Sequence, residues 1–335
     1  MIRKQWISLL LAFLLLCPLF SAGAENADTG QWFCLVCGAE NTGDSCRSCG
    51  ALRDVWICSG CGTRNLSAVC HTCGLEQQES LRKQAFSGDP LKAYPVLRSM
   101  AAEGVNEALC ALAEYYAKGI LVPQDAETAA ALYNRACDAG YGPAFLQLGK
   151  MYDSGELVPQ DLFRAMECFQ RAAELGVAEA YWYIGSYYEE GFVVNRDYRT
   201  AREMYTKGGE NGDPDCWMSL AYCYASGKGM ERSFGEALPL YEKAAEGGSS
   251  LACDYLGYLY MTGDMVPADP EKGLALYRKA AELGNARSMM ALGYAYLTGQ
   301  GVEPDRAAAV SWYEQAAVAG RTDAVAIIRR LKAGE

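Results

Sequence analysis

The chain has 335 residues, of which 51% are hydrophobic and 21% charged, a composition typical of a folded protein rather than a disordered one. Its 41 acidic and 30 basic residues give a net charge of −11. Because proteins bind phosphate groups through Lys and Arg, this balance argues against a nucleic-acid partner and against adsorption on anionic lipid.

The N-terminal sequence predicts a secretory signal peptide over residues 1–24. Arg3 and Lys4 precede an apolar run of 15 residues from Trp6 to Phe20, and small residues that suit a cleavage site follow. The run is shorter than the ~20 residues that cross a bilayer as a helix. We therefore predict cleavage after Ala24 and a secreted or extracytoplasmic protein. The alternative is an uncleaved signal anchor, which would be its only attachment to a membrane.

Residues 31–75 predict a tandem zinc ribbon. They hold two copies, 31–50 and 55–74, of the pattern W-x-C-x2-C-G-x2-N-x4-C-x2-C-G, displaced by 24 residues. The eight cysteines of the two copies are Cys34, Cys37, Cys46, Cys49, Cys58, Cys61, Cys70 and Cys73. Two thiolates on one tight turn can hold a tetrahedral ion, and the glycine after each pair accepts the backbone angles of the turn. Four thiolates per copy predict two structural Zn²⁺ ions without an open coordination position.

A disulfide framework is the alternative for these cysteines, because a secreted chain reaches an oxidising compartment. We favour zinc because a glycine follows every C-x2-C pair, which a set of disulfides does not require. The segment has few apolar side chains, so metal binding would supply much of its folding free energy. His71, the only histidine of the chain, lies between Cys70 and Cys73 and is interpreted as a bystander rather than a ligand.

The opening W-x-C-x2-C-x3-N of each copy is similar to that of the Ran-binding-protein class of zinc finger, which binds ubiquitin or single-stranded RNA. The Thr-Phe pair with which that class contacts ubiquitin is replaced by Gly38-Ala39 and Gly62-Thr63. The resemblance therefore implies a double zinc ribbon but favours neither ligand. We expect Trp32 and Trp56 to pack over the zinc turns.

Glycine recurs every 36 residues along the rest of the chain. A first set consists of Gly104, Gly140, Gly176, Gly212, Gly248, Gly284 and Gly320. A second set, half a unit away, consists of Gly119, Gly155, Gly191, Gly227, Gly263 and Gly299. Such a period predicts stacked units that bury their apolar faces only against their neighbours. This architecture favours the binding of macromolecules over catalysis in a closed pocket.

Each 36-residue unit predicts two helices. The first helix, roughly Asn106 to Lys118 in the first unit, has a small residue, a Leu or Ile and a Tyr at intervals of four residues, and the second glycine set ends it. The second helix begins after an N-cap residue whose side chain accepts hydrogen bonds from free backbone amides. These N-cap residues are Asp125, Asp161, Asp197, Ser233, Asp269 and Asp305.

The pattern A-x3-LG-x2-Y-x2-G…D-x3-A-x3-Y-x2-AA-x2-G resembles the Sel-one-like (Sel1-like) repeat, a relative of the tetratricopeptide repeat, from about Asp89 to Lys332. The resemblance implies an all-α, right-handed superhelical solenoid of helix-turn-helix repeats, here preceded by the small tandem zinc ribbon. We divide it into a half repeat at 77–104, six repeats over 105–320 and a capping helix within 321–335.

The loop between the two helices departs from this family at one position. The family has a second glycine there, and Gly229 and Gly301 keep it. The other four units have larger residues at this position, namely Leu121, Leu157, Val193 and Met265. We expect these four turns to follow a different path.

Six cysteines lie among the repeats, in different positions of the unit: Cys110, Cys137, Cys168, Cys216, Cys223 and Cys253. We interpret them as small buried thiols. Bacterial cysteine-rich members of the family bridge cysteines about eight residues apart, but Phe145 stands where the partner of Cys137 would be. The one pair that we would test for a disulfide is Cys216 with Cys253.

The positions that vary between units predict the partner-binding surface. On the first helices, two such positions are neighbours at i and i+3, beginning at Ala111 and Glu114. They hold the candidate binding residues Tyr183, Tyr222, Tyr255, Tyr258 and Tyr294. Tyr is frequent in recognition surfaces because it is large, stiff and half polar, and the resemblance places the first helices on the concave side. The alternative role of these rings is packing between repeats.

Nothing in the sequence assembles a catalytic site. No histidine lies outside the cysteine block, and no phosphate-binding glycine loop is found. Ser80-x2-Lys83 has the spacing of a penicillin-recognising serine site, but the companion motifs are missing. We predict an exported, non-enzymatic scaffold with protein or peptide partners and no small-molecule substrate. The alternative is a β-lactam-binding or hydrolase-type protein of the cell envelope, since relatives in the repeat family have been linked to β-lactam binding.

Overall fold

The computed structural model describes residues 82–83, 85–86 and 88–333, together with the backbone of four short strands nearer the N-terminus. The predicted signal peptide, the eight cysteines of the zinc ribbon and Ser80 lie outside the described residues. The chain divides into two compact units, Met1–Ala144 and Phe145–Glu335, which are described separately. No helix among the described residues is long and apolar enough to span a bilayer.

The four strands form two antiparallel hairpins of identical register. In the first, β1 (Trp32–Phe33) pairs with β2 (Glu40–Asn41), and Trp32 lies opposite Asn41. In the second, β3 (Trp56–Ile57) pairs with β4 (Arg64–Asn65), and Trp56 lies opposite Asn65. The two hairpins are displaced by the same 24 residues as the two sequence copies.

The helices of the first unit pack in chain order, α1 on α2 and α2 on α3. Their bounds are α1 Pro90–Ala102, α2 Asn106–Lys118 and α3 Ala126–Asp138, and α4 Gly142–Ser154 follows. Val96 and Leu97 of α1, Leu112 of α2 and Tyr133 of α3 are buried. The Asp89 side chain caps α1 by accepting from the Leu91 amide at 3.1 Å, and Pro90 takes the first helical position, where a missing amide costs nothing.

The second unit continues the same two-helix pattern. Its helices are α5 Leu162–Glu174, α6 Glu179–Glu190, α7 Tyr198–Glu210, α8 Pro214–Ser226, α9 Phe234–Glu246, α10 Ser250–Thr262, α11 Pro270–Glu282, α12 Ala286–Thr298, α13 Arg306–Val318 and α14 Thr322–Ala333. Each helix packs against the next one in the chain. The fourteen helices of residues 90–333 confirm the predicted all-α repeat fold.

Local capping explains why the repeated helices begin where they do. The structure confirms all six predicted N-cap residues of the second helices, whose side chains accept from amides of the first turn. Asp125, for example, accepts from the amides of Glu127 and Thr128, both at 3.1 Å. Each such cap contributes about 0.5–2 kcal/mol, and this contribution recurs in every repeat.

The expectation that four loops follow a different path is wrong for two of them. Leu121 and Met265 have φ angles of 61° and 65°, close to the 68° of Gly229 and the 72° of Gly301. A left-handed conformation costs a residue with a side chain about 1–2 kcal/mol. Leu121 and Met265 are each half exposed, so about half of each side chain faces solvent rather than packed neighbours. Leu157 and Val193 do not adopt this conformation.

Four of the six cysteines in the helices are buried, as predicted, and two are not. Cys137, Cys216, Cys223 and Cys253 are buried, whereas Cys110 and Cys168 are partly exposed. Cys216 and Cys253 are separate thiols without a disulfide between them.

Candidate functional site

An exposed tyrosine recurs at one position of three successive first helices in the second unit. Tyr222 of α8, Tyr258 of α10 and Tyr294 of α12 are 49%, 47% and 52% exposed. We call these three residues the tyrosine ladder. Large aromatic side chains are normally among the more buried residues of a repeat, so three half-exposed rings at equivalent positions mark a surface that is available for contact.

The local structure fixes the direction of the ladder side chains. The residues on either side of each ladder tyrosine are buried, which turns the tyrosine away from the core; they are Ala221 and Cys223, Gly257 and Leu259, and Gly293 and Ala295. A hydroxyl one turn later donates to the backbone carbonyl of each ladder residue: Ser226 to Tyr222 at 2.6 Å, Thr262 to Tyr258 at 2.9 Å and Thr298 to Tyr294 at 2.9 Å. The same backbone setting therefore supports all three rings.

The exposed residues of the three ladder helices have no net charge, although the whole chain carries −11. The exposed positions of these three helices are Asp215, Tyr222, Ser226, Leu251, Tyr258, Thr262, Arg287, Tyr294, Leu297 and Thr298. The single acid, Asp215, accepts from the Ser249 hydroxyl at 2.5 Å. The single base, Arg287, forms an ion pair with the buried Asp254. Both charges are therefore already satisfied within the protein.

The other two predicted binding tyrosines contribute to packing. Tyr183 stacks on Phe169 with ring centroids 4.3 Å apart, and burial raises the pKa of its hydroxyl to about 12. Tyr255 packs against Tyr241 at 4.7 Å, and burial also raises the pKa of Tyr255. Both rings are only partly exposed, so they offer a smaller surface to a partner than the ladder residues do.

The phenol hydroxyls of the ladder are not used within the described part of the chain. None of the three forms a hydrogen bond with a described residue, in contrast to Tyr187, whose hydroxyl donates to Asp153 at 2.6 Å, and Tyr205, which donates to Glu189 at 2.8 Å. A phenol without a partner in the protein can donate to a ligand.

Sequence reasoning missed a charged group at the Tyr222 end of the ladder. The Lys228 ammonium lies 4.9 Å from the centroid of the Tyr222 ring and forms an ion pair with the Glu189 carboxylate. That carboxylate is only 11% exposed and also accepts from Tyr205. Burial alone would lower the pKa of Lys228, but the hydrogen bond and the charge of Glu189 raise it above its ordinary value. The ion pair thus fixes a cation beside the first ladder ring.

Of the motif Ser80-x2-Lys83, only Lys83 lies among the described residues. Lys83 lines an open depression in the first unit, together with Phe86, Tyr141 and the ion pair of Arg82 with Glu107, which spans 2.5 Å. No cluster of three or more His, Cys, Asp or Glu that could hold a metal ion is found in the described part of the chain. The predicted zinc ligands lie outside that part.

Comparison with known proteins identifies the repeats. Six segments match the family described as Sel1 repeat: residues 106–141, 146–177, 178–213, 218–249, 250–285 and 286–320. A solved Sel1 repeat protein from Oxalobacter formigenes is 28% identical, with a TM-score of 0.61, over 72% of this chain and 99% of that one.

Two further solved structures resemble the chain in fold alone. The immunity protein Pa5087 of Pseudomonas aeruginosa is 18% identical, with a TM-score of 0.50, over 64% of this chain and 81% of that one. Yeast Tom70 is 16% identical, with a TM-score of 0.51, over 76% of this chain and 53% of that one. No curated protein sequence that was searched matches.

Proposed function

Since the chain belongs to the Sel1 repeat family, we propose that it is an exported, non-enzymatic scaffold that binds protein or peptide partners on the first helices of its repeats. A structural double zinc ribbon would precede the repeats. Open stacks of helical hairpins offer extended surfaces of this kind to other macromolecules.

The tyrosine ladder is the observation that carries the proposal. Three half-exposed rings lie at equivalent positions of successive first helices, whose exposed residues include one acid and one base, each bonded to a group of the protein itself. Such rings offer a large contact area and lose little conformational entropy on binding, because each has only two rotatable bonds. The Lys228 ammonium beside Tyr222 is already paired with Glu189, so a partner that covers the rings gains apolar contact without desolvating an unpaired charge there.

Partner capture by the wild type, a ladder variant and a control variant tests whether the tyrosine ladder binds the partners. The mature wild-type chain and a variant with Tyr222→Ala, Tyr258→Ala and Tyr294→Ala would be used to capture proteins from the extracytoplasmic fraction of the source organism. Phe163→Ala is the matched control, because Phe163 is 70% exposed and lies on a second helix outside the ladder. We expect partners that bind the wild type and the control but not the triple variant. Identical captured sets for all three proteins would contradict the proposed surface.

The thiols of the helices support a role without catalysis. Burial raises the pKa of Cys110 and Cys223 to about 12 and that of Cys168 to about 11. Such thiols stay protonated at neutral pH and are poor nucleophiles. Nitrocefin hydrolysis by the mature chain that is lost in Ser80→Ala would contradict the non-enzymatic assignment.

The zinc ribbon is supported by its duplicated cysteine pattern and by the two strand hairpins of equal register. In each copy the first C-x2-C-G lies in sequence between the paired strands, at Cys34 to Gly38 and Cys58 to Gly62. Elemental analysis of the mature chain should give two zinc ions per molecule, and Cys34→Ser should release one of them. A chain without zinc whose eight cysteines are joined in four disulfides by mass spectrometry would support the alternative framework.

Export is supported by the charged start, the short apolar run and the small residues of the N-terminal sequence. N-terminal sequencing of the secreted chain should begin at Glu25. A full-length chain that stays in the membrane fraction would indicate the signal anchor instead.

A further inference from the structure

The ladder position continues with an arginine on the last helix. The ladder residues are 36 positions apart, and 36 positions after Tyr294 stands Arg330 of α14. The register of the two helices is the same, because Leu331 of α14 is buried, as is Ala295 at the equivalent position of α12. Arg330 itself is exposed. It therefore lies on the side of α14 that corresponds to the ladder side of α12.

The helices α12 and α14 flank the same second helix. Both pack against α13, and Leu292 of α12 and Ala324 of α14 belong to one buried cluster. The helices α10 and α12 flank α11 in the same way. The step from Tyr294 to Arg330 thus repeats the arrangement that relates Tyr258 to Tyr294.

The unpaired charge on the four first helices α8, α10, α12 and α14 is positive and lies on α14. The charged side chains of these helices that have a partner within the protein are Asp215, Asp254, Arg287, Asp323 and Lys332. The other two, Arg329 and Arg330, are exposed and have no partner among the described residues. Lys228, at the Tyr222 end of the ladder, is paired with Glu189. A ligand on these helices therefore meets an unpaired charge at the α14 end alone.

The two arginines lie on different sides of α14. Arg329 takes the position that Gly293 has on α12, where an added Cβ atom would lie 2.8 Å from the Tyr313 ring of α13. That position faces the second helix of the same repeat, so Arg329 lies on a side other than that of the ladder. Arg330 is therefore the cation that a ligand on the rings would reach.

We propose that Arg330 binds the carboxylate of an acidic side chain in a protein segment whose apolar residues cover the tyrosine ladder. This inference rests on the proposed function and adds the charge of its ligand. The planar guanidinium of arginine can form two parallel hydrogen bonds with a carboxylate. The carboxylate also fixes the direction of the segment, because the cation at the opposite end of the ladder is already paired with Glu189.

An acidic side chain fits this position better than the C-terminus of a partner. Terminal carboxylates are captured by groups of backbone amides. Arg330 lies in the last turn of α14, where the free backbone groups are carbonyls. The guanidinium is then the donor, and a side chain can reach it on its own stem. Because the whole chain carries −11, an acidic segment that does not reach Arg330 is repelled.

Selection from a peptide library tests the inference. Random twelve-residue peptides, joined to a phage coat protein at their C-terminal ends, would be selected on the full mature chain, on Arg330→Ala and on Arg330→Glu. Arg329→Ala is the matched control, because it removes the same charge from the same turn on another side of the helix. We expect Asp or Glu at one end of an apolar stretch with the wild type and the control. Arg330→Ala should lose this preference, and Arg330→Glu should select Lys or Arg instead.

Titration with one selected peptide then measures the contact itself. Arg330→Ala should weaken its binding about tenfold, and replacing the acidic residue of the peptide by the corresponding amide should do the same. The two changes together should cause no further loss, because both remove the same contact. The peptide with an amidated C-terminus should bind as tightly as the peptide with a free one.

The outcomes separate this inference from the proposal on which it rests. Equal enrichment of acidic residues by the wild type and Arg330→Ala, additive effects of the two changes, or binding that requires the free C-terminus overturns the inference. Peptides without an acidic residue whose binding is lost in Tyr258→Ala also overturn it but leave the proposed function standing. If no peptide is selected, or if Tyr258→Ala binds the selected peptides like the wild type, both fail. Circular dichroism checks that each variant keeps the fold.

Discussion

Replacing Gly208 by Ala should destabilise the protein, although alanine is the better helix former. The other five repeats have alanine at the position of Gly208, on the second helix. Gly208 of α7 faces Cys216 of α8, and the residue equivalent to Cys216 is alanine or serine in the other repeats. A Cβ atom added at Gly208 would overlap Cys216 Sγ and lie 2.9 Å from Tyr181 Cβ. The glycine therefore makes room for the larger thiol.

The expected magnitudes follow from two opposing effects. Gly to Ala in a helix interior gains about 1 kcal/mol, whereas an extra methyl group in a packed core costs about 1–3 kcal/mol. Gly208→Ala should thus lower the free energy of unfolding by about 1 kcal/mol. Cys216→Ala, which leaves a small cavity, should also lower it by about 1 kcal/mol. The double variant restores the alanine pair of other repeats and should be at least as stable as the wild type.

Urea unfolding of the four proteins, followed by circular dichroism, measures this coupling. Equal m-values would show that the same structure unfolds in each case. The predicted interaction energy of the pair is about 2 kcal/mol, within the range seen for residues in contact. Additive effects of the two single substitutions, or a Gly208→Ala variant that is more stable than the wild type, would refute the steric argument.

Three further predictions concern stability. Met265→Gly should raise the free energy of unfolding by about 1 kcal/mol, because glycine adopts the left-handed conformation of this position without the steric cost that methionine bears. Leu157→Gly, at the equivalent loop position without that conformation, should lower the free energy of unfolding, and thermal melts compare the two variants. Ser288→Ala should destabilise the protein by about 1–3 kcal/mol in urea titrations, because an oxygen of the buried Asp254 carboxylate loses its hydrogen bond from the Ser288 hydroxyl. The double variant Ser288→Ala, Asp254→Leu should recover this loss, because the buried carboxylate is then removed. A hydrogen bond from the Thr128 side chain lowers the pKa of Asp125 in the folded protein below its ordinary value of 3.8. The ionised Asp125 therefore stabilises the fold fully at pH values above 3.8, and this contribution is lost as the pH falls through the lower pKa of the folded state. Asp125→Asn should therefore show a smaller loss of stability between pH 7 and pH 3, and an unchanged loss would contradict this role.

The repeat fold could be predicted from sequence because its signals are local. Glycines at helix ends and capping residues at helix starts act within one turn, so the boundaries of the helices follow from them. The loops at Leu121 and Met265 could not be predicted in this way. There the hairpin imposes the glycine conformation on a larger residue, and the exposed side chain permits it.

The candidate site could be predicted only in part. The variable positions of the first helices pointed to five tyrosines, but their exposure depends on the second helix that packs beside each one. Tyr183 is covered by Phe169 and Tyr255 by Tyr241, whereas the ladder residues stay half exposed. The ion pair of Glu189 with Lys228 joins residues 39 positions apart. No spacing rule within a single unit anticipates such a contact.

Site-specific photocrosslinking in living cells tests the central claim most directly. A photoreactive benzoylphenylalanine would replace Tyr258 in the ladder or, as the control, the exposed Phe163 outside it. The account predicts a discrete protein adduct from position 258 after irradiation and none from position 163. Adducts from position 163 alone, or from neither position in cells that contain the partner captured by the wild-type chain, would contradict binding through the first helices.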